Sequence, residues 1–291
     1  MECRTGTLVD EAAVNCCEFN FLVGLVATVA GLLGSLTGLG GGIVVTPALT
    51  LLFGVDIRYA IGATLVSVIA TSSGAAAAYV KEGFSNIRVG MFLEIATTFG
   101  AILGALMATK TPTSALGIVF GVVLLYSAYA SSRPQPSLAE GRGGDPLAER
   151  LGMNSSYPTS QGPRSYVVRR VKTGFGLMFG AGTLSGLLGI GSGALKVIAM
   201  DQAMGLPFKV STTTSNFMIG VTAAASAGIY LNRGYIDPGL AMPVVLGVLV
   251  GSLLGARLLP RVKTRVLRLV FGLVVVVLAI EMIYQGVTGR I

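Results

Sequence analysis

Hydrophobic residues along this chain gather into ten runs, five in each half, divided by short polar points. In the first half the runs cover 20–36, 43–54, 60–80, 89–108 and 114–130. In the second they cover 172–188, 194–205, 211–231, 239–259 and 266–284. A helix crossing a bilayer takes about 20 apolar residues, with about 17 as a practical minimum. The second run of each half falls short of that. At about 1.5 Å of rise per residue it reaches only ~18 Å of a ~30 Å hydrocarbon layer. The first two runs of each half are therefore expected to form a broken or re-entrant pair. The breaks fall in "GSLTGLGGGIVVTP" (34–47) and "GLLGIGSGALKV" (186–197). Glycine and proline are the residues that weaken helices most.

The two stretches belong to a longer repeat. Gly38, Gly40 and Gly42 lie 151 positions before Gly189, Gly191 and Gly193. The same shift carries Gly54 to Gly205, Thr71 to Thr222, Tyr79 to Tyr230 and Gly83 to Gly234. It also carries "GAILGA" (100–105) to "GSLLGA" (251–256). One register held this long indicates duplication. Five crossings per unit, or three if each broken pair is a hairpin, give an odd count. The second unit then enters from the opposite side, as in the inverted repeats of many secondary transporters.

The segment between the halves differs in kind. Residues 131–172 are rich in Pro, Gly and Ser and read as a flexible polar connector. With the N-terminus outside, the connector lies inside, together with 81–88, 206–210 and 257–268. Most Lys and Arg then fall on the inner side, among them Lys81, Arg88, Lys209, Arg257 and Arg261. Arg4, Arg58, Lys110, Arg233 and Arg290 fall outside. The expected organisation is an extracytoplasmic tail (1–19), a membrane repeat (20–130), a cytoplasmic linker (131–172), a second repeat (173–285) and a short tail (286–291).

Composition agrees. The 291 residues are 53% hydrophobic and 12% charged, with a mean hydropathy of +0.77. A soluble domain carries about a quarter charged residues. The fold class expected is an all-α integral membrane protein with two inverted repeats. The net charge of +8 reflects orientation and anionic lipid, not nucleic acid. Cys3, Cys16 and Cys17 show no metal-ligand spacing, and Glu2, Asp10, Glu11 and Glu18 stand where a secretory signal would be basic.

Candidate chemistry concentrates at the breaks. Non-helical backbone inside a bilayer is tolerated where protein or a water-filled cavity satisfies it. A helix restarting there points free N–H groups into the site and favours anions. Gly40, Gly41 and Gly42 would do so in one half, and Gly191, Ser192 and Gly193 in the other. Lys196 is the one cation deep inside an apolar run, and its repeat partner is Val45. A buried cation is expensive and points to function; its bland alternatives are snorkelling to the interface or pairing with Asp201. Thr64 and Ser67 in "IGATLVSVIATSSG", and Thr213, Ser215 and Asn216 in "STTTSNFMIGVT", would line the route. Glu94, at a run's inner edge, is read as interfacial or paired, with coupling as the alternative. The glycines at 100, 104, 251 and 255 read as close helix packing. With no His and no phosphate-binding loop, neither a catalytic set nor a cofactor or metal site is expected.

These residues carry a resemblance. "GLLGSLTGLGGGIVVTPAL", "GLLGIGSGALKVIAM", "GATLVSV", "STTTSNF", "GAILGA" and "GSLLGA" resemble the TauE/SafE sulfite-exporter family over both membrane halves. The resemblance implies a secondary transporter in a bacterial inner membrane. It implies export of a small sulfur-containing anion, sulfite or an organosulfonate such as sulfoacetate or taurine, with protons as the coupling ion. An uncoupled anion channel, or a permease for another small organic anion, is the alternative. A membrane lipid environment is implied, and homo-oligomers are compatible with it.

Overall fold

The computed structural model describes residues 16–37, 42–81, 85–132, 144–159, 162–191, 193–258 and 264–290. The first half holds α1 (Cys16–Thr37), α2 (Gly42–Phe53), α3 (Ile57–Lys81), α4 (Ile87–Ala108) and α5 (Thr113–Ser132). The linker supplies α6 (Pro146–Arg150) and a hairpin, β1 (Ser155–Thr159) and β2 (Gly162–Tyr166). The second half holds α7 (Val171–Leu188), α8 (Gly193–Ile198), a π-helical turn (Ala199–Ala203), α9 (Phe208–Asn232), α10 (Pro238–Leu258) and α11 (Thr264–Thr288). Each expected apolar run is a helix.

The helices pair across the halves. α1 lies on α10 and α4 on α7, while α3 meets α9 and α5 meets α11. α4 also packs on α9 as α10 packs on α3, and α2 on α3 as α8 on α9. A shift of 151 residues turns every one of these pairings into another or into itself. Small residues allow the tight crossings. A Cβ at Gly100 would sit 2.2 Å from the Phe179 carbonyl oxygen, and one at Gly251 would sit 2.0 Å from that of Thr28. Backbones approaching this closely exclude any side chain, which is how small residues drive helix association where lipid weakens the hydrophobic drive.

The outer faces are apolar. Phe21, Leu25, Phe99, Leu106, Leu246, Leu253, Leu273 and Val277 are exposed. Among the described residues, Ile87–Ala108 and Pro238–Gly255 are long and apolar enough to cross a bilayer, and several other helices are apolar over shorter lengths.

The polar points gather at two faces. On one, Arg88 donates to the Gly152 carbonyl at 2.8 Å. Beside it Asn86 donates to the Met153 carbonyl at 2.8 Å and to the Tyr166 hydroxyl at 2.7 Å. The Arg169 amide donates to the Met204 carbonyl at 3.0 Å. At the other ends of α3 and α4, Arg58 donates to the Thr111 carbonyl at 2.8 Å and lies 5.7 Å from the centre of the Tyr235 ring. The segments assigned to one side by the crossing count therefore meet one another.

The linker departs from expectation. Over 144–159 and 162–170 it is folded against the bundle rather than a plain flexible connector, and its two strands are the ones present among the described residues. Asp145 fixes its start. One carboxylate oxygen accepts the Leu147 amide at 2.9 Å, capping α6, and the other accepts the Val171 amide at 2.8 Å, at the start of α7. Its few apolar residues do the rest: Ala148, Met153, Tyr166 and Val168 are buried with Val89, Leu93, Met204 and Leu206. Average polarity over forty-odd residues conceals four well-placed apolar ones.

Candidate functional site

The second-half break is visible in detail. α7 ends at Gly189, whose φ is +67°, and Gly191 has a φ of +67° as well. Side chains avoid this left-handed region, so glycine lets the chain turn twice before α8 restarts. Carbonyls freed by the end of α7 find partners: the buried Tyr230 hydroxyl lies 3.2 Å from the Gly186 oxygen and 3.4 Å from that of Leu187. Ser215 of α9 donates to the Gly193 carbonyl at 3.3 Å, fixing the start of α8.

The first-half break, with Gly40 and Gly41, lies outside the described residues, as does Ser192. Gly42, the first residue of α2, is buried. A Cβ there would come 2.9 Å from the Thr64 methyl and 3.7 Å from the Gly189 carbonyl oxygen, so the start of α2 adjoins the end of α7. A Cβ at Gly191 would touch both Val68 on α3 and Ile219 on α9, residues that the 151-position shift equates. The restart points thus meet where α3 and α9 cross. Both short segments are irregular at matching places. α2 carries Pro47 inside it, and the π turn begins one residue beyond the equivalent position, Ile198. Pro47 removes a ladder hydrogen bond and the π turn widens the ladder.

Lys196 is wholly buried. It neither snorkels nor pairs with Asp201, which lies half-buried in the π turn. Its ammonium donates to the Thr222 hydroxyl at 2.5 Å. Thr222 Oγ1 in turn lies 2.7 Å from Glu94 Oε1, and the direct distance from Lys196 Nζ to Glu94 Oε2 is 4.0 Å. Glu94 is 8% exposed, and Thr98 adds a hydroxyl at 3.2 Å from its Oε1. Its Oε2 is buried with no hydrogen-bond partner. A lysine from α8, a threonine from α9 and a glutamate from α4 therefore form one buried polar chain inside an apolar bundle.

The hydroxyls expected to line the site divide. Thr64 and Ser215 face the restart points, with Thr46 donating to Thr64 at 2.9 Å. Ser67 donates to the Thr64 carbonyl at 2.8 Å, and Thr213 lies 3.0 Å from the Lys209 carbonyl, so both bond within their own helices. Asn216 is half-buried on α9. Sequence reasoning missed the joining of Glu94 to Lys196 through Thr222. A signal for it existed. Glu94 maps onto Val245 under the shift, as Lys196 maps onto Val45, so both charges break the repeat in the same way. Among the described residues no group of three His, Cys, Asp or Glu side chains could hold a metal.

Comparison with known proteins supports the same conclusion. The chain is 27% identical over 271 residues to the probable membrane transporter protein YunE of Bacillus subtilis, covering 89% of this chain and 95% of that one. It is 28% identical over 265 residues to a probable membrane transporter protein of Xylella fastidiosa, covering 90% and 92%. It is 26% identical over 250 residues to the probable membrane transporter protein MJ0441 of Methanocaldococcus jannaschii, covering 79% and 85%. No solved structure matches it. Residues 23–282 match the model of the family described as sulfite exporter TauE/SafE. With an apolar exterior, a glycine-broken helix pair and a buried lysine within that span, the chain is a membrane transporter belonging to the sulfite exporter TauE/SafE family.

Proposed function

We propose that this protein exports a small sulfur-containing anion, sulfite or an organosulfonate, across a bacterial inner membrane by alternating access, with protons as the coupling ion. The carrying observation is Lys196, a cation with no exposure, three residues after the restart of a glycine-broken helix. A lysine ammonium has three N–H donors, and one is used in this conformation, on Thr222. The others are available to an anion. First-turn N–H groups of a restarting helix have no intrahelical acceptor, so those of α2 and α8 add favourable dipoles. The cross-paired helices support two units of inverted orientation, rocking about the crossing of α3 and α9.

The test is flux into liposomes holding the purified protein. Sulfite and sulfoacetate are expected to accumulate against their gradients under an imposed pH difference. Flux that only runs downhill would point to a channel. Unchanged transport of sulfite, sulfoacetate and sulfate by Lys196→Ala would show that the site lies elsewhere.

A further inference from the structure

The buried chain Lys196–Thr222–Glu94 has an unspent end. Glu94 Oε2 is buried and has no hydrogen bond, 4.0 Å from the ammonium it faces. Thr222 stands between the two charges and bonds to both. A direct contact would bring one carboxylate oxygen within hydrogen-bond distance of the ammonium; here hydroxyls hold Oε1, and Oε2 faces the ammonium from 4.0 Å with no hydrogen bond. Buried polar atoms without partners are uncommon and call for a reason. The arrangement is also confined to one copy of the repeat, since Val45 and Val245 occupy the equivalent positions. Packing of the fold therefore does not require it.

We propose that Glu94 is the resident counter-ion of Lys196, displaced by a monovalent anion as one proton from solution is taken up on the Glu94 carboxylate. This rests on the anion-site reading above and extends it to substrate charge and to the proton. Anion and proton occupy the site together, so a proton gradient directed into the cell opposes export, and net export runs on the anion's own outward gradient. The accounting is simple. In the empty site one ammonium faces one carboxylate, and the niche is neutral. In the loaded site the anion takes the ammonium, the proton converts Glu94 to the neutral acid, and the niche is neutral again. A buried site tolerates both states because neither leaves an uncompensated charge. A dianion would leave the niche at minus one. The site therefore selects a singly charged form, such as a sulfonate or hydrogen sulfite, over sulfate. Oε2, which has no hydrogen bond, is where the proton goes, since Oε1 already accepts from Thr98 and Thr222.

Among the described residues, no other charge on the helices around Glu94 competes for this role. α7, α8 with its π turn, and α9 surround Glu94. Their other titratable groups are Lys172, Asp201, Lys209 and Tyr230, and Lys196 is the charged group that acts on Glu94. On α4 itself Arg88 is engaged with the Gly152 carbonyl.

The test titrates detergent-purified protein with methanesulfonate, which does not itself titrate near neutrality, in weakly buffered solution. Binding is followed by calorimetry and proton uptake by a pH electrode. Uptake of about one proton per bound anion is expected for the wild type. Glu94→Gln is expected to bind as tightly or more tightly, with no uptake. Sulfate is expected to bind more weakly by about tenfold at least. Binding without proton uptake, or uptake that survives Glu94→Gln, overturns the assignment of Glu94 and leaves the anion site standing. Sulfate binding as tightly as methanesulfonate overturns the charge selectivity. A wild type that binds neither methanesulfonate nor sulfite overturns the anion site and this inference with it. Should Glu94→Gln not fold, the wild type still decides. Dicyclohexylcarbodiimide labels protonated buried carboxyls, so labelling at Glu94 should rise several-fold with methanesulfonate, and unchanged or reduced labelling overturns the proposal.

Discussion

Two niches that the 151-residue shift makes equivalent share a scaffold and differ in chemistry. Where α8, α9 and α4 meet, Lys196, Thr222 and Glu94 form a buried polar chain. Where α2, α3 and α10 meet, the matching residues are Val45, Thr71 and Val245, and the Thr71 hydroxyl bonds to the Ser67 and Val68 carbonyls of its own helix. The frame is common to both: Gly100 and Gly251 permit the same kind of crossing, and Gly54 and Gly205 share the left-handed conformation. The packing is common to the two niches, while charge stands in one of them. A bundle in lipid has good reason for this, since every buried charge is expensive and one site suffices.

Four experiments would break or sharpen this contrast, in descending order of effect. Lys196→Ala should lower sulfite or sulfonate flux about a hundredfold, the scale of a lost buried charge contact. Val45→Ala, its counterpart, should change flux less than about threefold. Equal losses at the two positions would erase the distinction.

Stability should show the same asymmetry. Lys196→Met leaves a buried carboxylate alone and should cost about 3–5 kcal/mol in thermal unfolding. Lys196→Met with Glu94→Leu reproduces the apolar niche and should recover most of that loss. A double variant as unstable as the single would mean the niche is not a self-contained pair.

The scaffold, by contrast, should respond alike in both copies. Gly100→Ala and Gly251→Ala should each cost about 1–3 kcal/mol, because each Cβ would strike a carbonyl on the facing helix. Gly176→Ala, with open space around it, should be neutral or stabilising by up to about 1 kcal/mol. Clearly unequal costs at 100 and 251 would show that the crossings are not equivalent.

The smallest effect concerns the linker, which has no twin. Backbone amides of Leu147 and Val171 hold the Asp145 carboxyl below the usual carboxylate range. The lowered value means that the cap contributes fully above about pH 4 and is lost as pH falls through the folded-state value. Amide exchange at 146–150 and 171–174 should quicken on acidification, and Asp145→Asn should remove the pH dependence.

Much of this was legible in sequence, for definite reasons. A lipid-facing helix must be apolar over most of its length, so the ten apolar runs mark ten helical positions, and the short second run of the second half marks the described break at Gly189–Gly191. The linker was not legible. Its order depends on Met153, Tyr166 and Val168 finding a docking surface made by α4 and the turn before α9, a match that polarity averages cannot see. Lys196 stood out by its charge, but its partner on α4 is 102 positions earlier, and local spacing reports only neighbours along one helix. The hydroxyls at Ser67 and Thr213 bond to carbonyls of their own helices, a use that sequence spacing does not distinguish from lining a route.

The pairing of α1 with α10 bears on how the chain is made. These helices lie roughly 220 residues apart, and at about 5–20 residues per second the ribosome finishes α10 some ~10–45 s after α1. α4 waits a shorter time for α7. During that interval α1 holds its small-residue face open to lipid or to whatever insertion machinery shelters it. The α4–α7 pair can therefore close before α1–α10, α5 still waits for α11, and a ribosome that stalls before α10 leaves the first helix without its mate.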